Sequence, residues 1–310
     1  RDLVRSRGLG DVYKRQNKDE LIASRNHLND EISKENKTPS SIQNFDQAIE
    51  RARTQIENAK NEADRVINKE FATPEEVNHA LSKVREAQNQ IDEAQRLLQN
   101  KVDNSELVAA KERLESALEP PASTEGMTES SKQEYNTKRQ NAEHVIQDAT
   151  TVINNGDASV QNVRDAKNRV EQALREYNAA KSNLRADKTQ LEEAYNQLNQ
   201  PVQLDDKKPS TVNAYTQAIE NIKSQLEQAK NDAQTILHAE NPSVTSVSEA
   251  LRKVQEVQPK VTQAINLLEQ KADNSQLIAA RDQLQNTINP ELPTTGMTQE
   301  SAQNYHQKLQ

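Results

Sequence analysis

The chain contains no cysteine, which excludes disulfides, thiol nucleophiles and zinc–thiolate centres together. Tryptophan is absent as well, and two Phe and six Tyr in 310 residues cannot build one large core. Small, thin units are expected instead. No apolar run approaches the ~18 residues needed to span a bilayer as a helix, so this segment is not inserted in a membrane. An excess of basic residues is also missing. Net charge is −8 with both signs interspersed, leaving no cationic stripe for phosphates and no nucleic-acid partner. Mean hydropathy of −1.03 and 33% hydrophobic residues border on the composition of disordered chains. A disordered acidic linker is nevertheless excluded, because the few apolar residues are strictly periodic.

What the chain does contain is itself. Shifted by 170 residues, positions 18–140 fall on 188–310 without a gap, and 47 of the 123 pairs are identical. Gln47-Ala-Ile-Glu50 returns as Gln217-Ala-Ile-Glu220, Asp103-Asn-Ser105 as Asp273-Asn-Ser275, and Gly126-Met-Thr128 as Gly296-Met-Thr298. An ungapped repeat fixes loop lengths as well as helices and marks an array of like units. Residues 1–16 stand outside it. They hold five basic and two acidic residues and two of the five glycines, leaving −11 for the rest of the chain. They are expected to be a foreign leader and are set aside. No signal peptide is visible, and the chain stops inside a repeat, so both ends read as fragment ends.

Glycines and prolines punctuate segments rich in Ala, Glu, Gln, Lys and Leu, which favour helix. Apolar residues alternate at three and four: Phe45, Ile49, Ala52, Ile56, Ala59, Ala63, Val66, then Val77, Ala80, Val84, Ala87, Ile91, Ala94, Leu98. That spacing keeps one helix face apolar, and its many alanines favour narrow bundles. Helices are predicted near 18–34, 40–69, 74–99, 103–118, 128–154 and 158–186, after which the pattern restarts. Thr73-Pro-Glu-Glu76 reads as a capping box, and Ser40 or Ser41, Thr128, Asp157, Ser210, Ser243 and Thr298 as N-caps. The fold class is all-α, with three-helix modules over 17–100, 101–187 and 188–270 and a truncated one over 271–310. Neither 74–119 nor 157–200 contains an internal Pro or Gly. Consecutive modules are therefore expected to share long helices and form an elongated, monomeric rod. Pro259 should kink the last complete helix or cost it a hydrogen bond.

Catalytic constellations are lacking. His27, His79, His144, His238 and His306 are scattered and do not recur between the copies, so no metal is expected. Glu75-Glu76 and Glu192-Glu193 read as solvated helix ends. No phosphate loop, dinucleotide fingerprint or zincin motif occurs. There are no catalytic, metal or cofactor residues to name, and no ligand-binding residues are assigned. Phe45, Tyr135, Tyr215 and Tyr305 lead the apolar stripes and are read as core. Gly126-Met127-Thr128 is read as loop geometry.

The aromatic-led segment Tyr215-Thr-Gln-Ala-Ile219-Glu-Asn-Ile-Lys223, followed after a loop by Ser248-Glu-Ala-Leu251-Arg-Lys-Val254, resembles FIVAR modules. Their pairing into 170 residues is similar to the F-repeats of giant staphylococcal matrix-binding proteins of the Ebh/Embp type. The resemblance implies three-helix units in a non-enzymatic adhesin of a Gram-positive cell wall. It also implies attachment to fibronectin or another host matrix protein through many weak contacts, and a part in biofilm. Two other readings compete: a mechanical spacer that binds nothing, and a helical module for albumin or immunoglobulin.

Overall fold

A computed structural model describes residues 18–310; the leader expected over 1–16 lies outside the described residues. Eleven helical segments follow one another: α1 (18–27), α2 (Pro39–Ile67), α3 (Pro74–Gln95), α4 (Ser105–Leu118), α5 (Glu129–Asn154), α6 (Val160–Ser182), α7 (Thr189–Leu198), α8 (Pro209–His238), α9 (Val244–Ile265), α10 (Ser275–Ile288) and α11 (Gln299–Leu309). The described residues contain no β-strand, only isolated bridges. The fold is all-α, built of repeated three-helix bundles.

The described chain divides into two compact units, the first comprising residues 18–124 and 129–184. Its first bundle packs α1, α2 and α3 around Leu21, Leu28, Ile56, Val66, Val84 and Ile91, with alanines between them. Apart from half-buried Ile49, the predicted stripe of α2 is buried from Phe45 to Val66. Its second bundle, α4–α6, buries Leu107, Leu114, Tyr135, Val170 and Tyr177 to 2% exposure or less. The two bundles meet where Asp157 accepts hydrogen bonds from the backbone N–H (3.0 Å) and hydroxyl (2.7 Å) of Ser40. Asp157 therefore caps α2 from outside; the α6 N-cap is Ser159, in a full capping box with Asn162. Thr38, not Ser40 or Ser41, is the N-cap of α2.

The second unit comprises residues 125–128 and 185–310. Leu191, Leu198, Ala229, Ala233, Val254 and Val257 form the core of α7–α9. Its α8 is less covered than α2: only Ala229 and Ala233 are buried, and Tyr215 is half-buried. α9 runs on through Pro259 to Ile265. Ser243 and Thr298 cap α9 and α11 as predicted, whereas Lys208 stands at the α8 N-cap with no side-chain bond. Neither α10 nor α11 buries any residue.

Shared helices do not form. α3 ends at Gln95 and α4 starts at Ser105; α6 ends at Ser182 and α7 starts at Thr189; α9 ends at Ile265 and α10 starts at Ser275. Local polar chemistry wins over helix propensity at each joint. Asp103, Asp187 and Asp273 accept the backbone N–H two residues on, from Ser105, Thr189 and Ser275, at 2.9–3.0 Å. Each starts a new helix there instead of continuing the old one.

Candidate interaction surface

Among the described residues no group of three His, Cys, Asp or Glu could hold a metal ion. His27 faces Asp30, His79 faces Glu62, and His238 contacts the Gln234 carbonyl one turn back. Glu76 is engaged by Lys69 at 2.9 Å rather than closing the expected capping box, although Thr73 accepts the Glu76 N–H as predicted. These are surface pairs, and they assemble nothing. No described helix is long and apolar enough to cross a membrane.

The irregular backbone is where the molecule has shape. After the first helix of each complete bundle the chain pairs with the segment that follows the third helix and forms one antiparallel bridge: Lys37 with Asn100, Met127 with Ala186, Lys207 with Gln270. Each is closed by two backbone bonds. Thr38 N–H donates to Gln99 O, Thr128 to Arg185 O and Lys208 to Glu269 O, at 2.7–2.8 Å. In return Lys101 N–H donates to Asn36 O, Asp187 to Gly126 O and Lys271 to Asp206 O, at 2.8–2.9 Å. Asn36 (φ 56°) and Gly126 (φ 73°) occupy the same place in a left-handed conformation, which asparagine and glycine tolerate best. Gly126 is thus loop geometry, as read from the sequence.

The aromatic position does more than fill core. The Tyr135 hydroxyl accepts the Ala122 N–H at 2.9 Å and lies 3.1 Å from the Tyr177 hydroxyl. Tyr305 accepts the Leu292 N–H at 2.8 Å in the same way. Phe45 has no hydroxyl and makes no such latch. Burial, and then the bond to Tyr135, push the Tyr177 hydroxyl up to about 12. It therefore stays neutral, as a structural group should. Arg139 reaches the same corner, donating to Leu118 O at 2.6 Å. The sequence marked the position as core but not the latch, whose only signal is tyrosine in place of phenylalanine.

Two open grooves lie beside these loops. One, of about 830 Å³, is floored by Leu28, Ile32, Phe45 and Ile91 and rimmed by Asp30 and Lys34. The other, of about 430 Å³, is floored by Leu198, Val202 and Val261.

Comparison with known proteins returns the same modules. The FIVAR domain model matches residues 24–92, 110–178 and 187–274. Extracellular matrix-binding protein EbhB of Staphylococcus aureus strain N315 is 45% identical over 95% of this chain, which spans 8% of that protein. The extracellular matrix-binding protein ebh of strain NCTC 8325 is equally similar over the same share of this chain, which spans 3% of it. A solved structure, described as a characterization of Embp-mediated Staphylococcus epidermidis adherence to fibronectin, is 58% identical. It covers 54% of this chain and 99% of its own, with a TM-score of 0.32. With three matches covering most of its length, and a three-helix bundle beneath each, this chain belongs to the FIVAR family.

Proposed function

We propose that this chain is a repeat segment of a cell-surface adhesin of a Gram-positive bacterium. Its partner is host extracellular matrix, and the ligand is fibronectin. The observation that carries this reading is the 45% identity, over 95% of the chain, to proteins named for matrix binding. The architecture suits the task. A surface of solvated helix faces offers weak contacts, and weak contacts become strong when copies on one chain engage together.

The test is surface binding of the chain to coated fibronectin, with albumin and immunoglobulin G as controls. The 310-residue chain is compared with head-to-tail duplicates and quadruplicates, each checked for helicity by circular dichroism. Fibronectin-selective signal should rise faster than copy number. No binding by well-folded quadruplicates rejects the adhesin in favour of a spacer, and equal binding to albumin rejects fibronectin as the ligand.

A further inference from the structure

The three complete bundles share a plan but not an end. In α4–α6 the first helix runs on to buried Leu118, and the space beyond is filled by the rings of Tyr135 and Tyr177, 5.6 Å apart. In the other two bundles the first helix stops a turn earlier, at residue 27 and at Leu198. Ile32 and Val202 take the place of Leu118 but lie half-exposed in irregular chain. Across from them, Ile91 and Val261 take the place of Tyr177. A missing turn and a smaller side chain together leave the two grooves open.

A second feature recurs with them. The Gln88 and Gln258 side-chain carbonyls, 170 residues apart, are buried without a hydrogen-bond donor, and Gln258 lines its groove. Leu174 holds that position in the closed bundle. A buried acceptor without a donor is costly, and an incoming main-chain N–H would satisfy it. The second groove is lined by Lys207 and by no carboxylate, but the first is rimmed by Asp30 and Glu31, in a loop (residues 29–36) of net −2. Lys34 is itself engaged by Asp46 at 2.8 Å, so the loop offers carboxylates and little free cationic charge.

We propose that these two grooves dock extended segments of a partner protein, each presenting one large apolar side chain, flanked by lysine or arginine where it enters the first groove. The α4–α6 bundle is the closed spacer between them in sequence. The apolar anchor fills the volume that Tyr177 fills in the closed bundle, and the flanking cations meet the acidic loop. Taking the partner to be a protein rests on the matrix-binding reading and gives that reading a surface.

Two probes separate the claims, both on the full chain. The first is a pentapeptide of leucine between two pairs of lysines, with the glycine-centred pentapeptide as control, titrated against ¹⁵N-labelled protein. Amide shifts should be strongest at Ile32 and Phe45 and weaker at Val202 and Val261, and the glycine peptide should bind at least tenfold more weakly. The double variant Ile91→Tyr/Val261→Tyr copies the closed bundle and should lower leucine-peptide affinity at least tenfold. Ile32→Lys/Val202→Lys, on half-exposed positions, should do the same by repulsion, with circular dichroism confirming that both doubles keep the parent's helicity. Shifts spread over the helix faces, or affinity unchanged in both doubles, overturn the grooves as docking sites. The second probe is coated fibronectin. Binding by the parent chain that both doubles retain also overturns the grooves but leaves the adhesin standing. Absence of fibronectin binding alongside groove-centred peptide shifts rejects fibronectin and upholds the grooves.

Discussion

Single residues at the loop corners set how each bundle closes. At Gly126 two constraints coincide: φ is +73°, and an added Cβ would stand 2.6 Å from a methyl carbon of Val244. Gly126→Ala should destabilise by about 1–3 kcal/mol, from left-handed strain plus the clash. Gly126→Asn borrows the residue that serves at Asn36, so it should relieve the strain but keep the clash and recover only part of the loss. Urea midpoints of the three proteins check this, and an asparagine variant as stable as the parent would remove the steric half. At Tyr135 the hydroxyl is what matters. Tyr135→Phe leaves the part-buried Ala122 N–H without its acceptor and should cost about 1–3 kcal/mol, whereas Phe45→Tyr in the first bundle has no latch to restore. A Tyr135→Phe chain with an unchanged midpoint would show that water replaces the phenol there.

At the scale of the helix, periodicity was enough to find every bundle-forming segment. The three–four spacing finds the inward faces of α2 and α3, with Ile49 half-buried and Leu98 past the end of α3; in α8 the same spacing leaves only Ala229 and Ala233 buried. The joints were not legible in the same way. Residues 96–104 lack Pro and Gly, and only the short Asp103-Asn-Ser105 run signals that a side chain will capture a backbone N–H and end one helix before the next. The grooves were less legible still, since they depend on comparing Ile32 with Leu118 and Ile91 with Tyr177 in three dimensions. The Asp-started helices carry a pH signature. The Asp103 carboxyl lies below its usual range because of the Ser105 N–H and then its hydroxyl; Asp187 because of the Thr189 hydroxyl and then its N–H; Asp273 because of the Ser275 hydroxyl and then its N–H. A folded-state pKa below the unfolded value means stabilisation that is complete above about pH 4 and lost as pH falls through the lowered value. Replacing all three by alanine should lower stability at pH 7 and flatten its acid decline below pH 4. A triple variant with the parent's acid limb would show that other carboxylates carry it.

For the whole molecule, repetition in sequence does not mean uniform stability. Bundles in an array are stabilised by what each buries and by what neighbours add. α10 and α11 repeat the sequence of α4 and the start of α5, yet Leu277 and Leu284 stay exposed where Leu107 and Leu114 are fully buried. Local opening should therefore cost little there. In the α7–α9 bundle α8 buries two alanines, against seven residues in α2. Native-state hydrogen exchange should accordingly proceed in order: amides of residues 275–309 first, with little protection; then α7–α9; last the helices of the first unit, where Tyr135, Tyr177 and Leu114 are sealed. Urea unfolding followed by circular dichroism should be broader than a single two-state transition, with an early loss from 275–309. Uniform protection across the described residues would mean that the units unfold as one. The repeats would then behave as a single cooperative body whose stability is shared along the chain rather than set bundle by bundle.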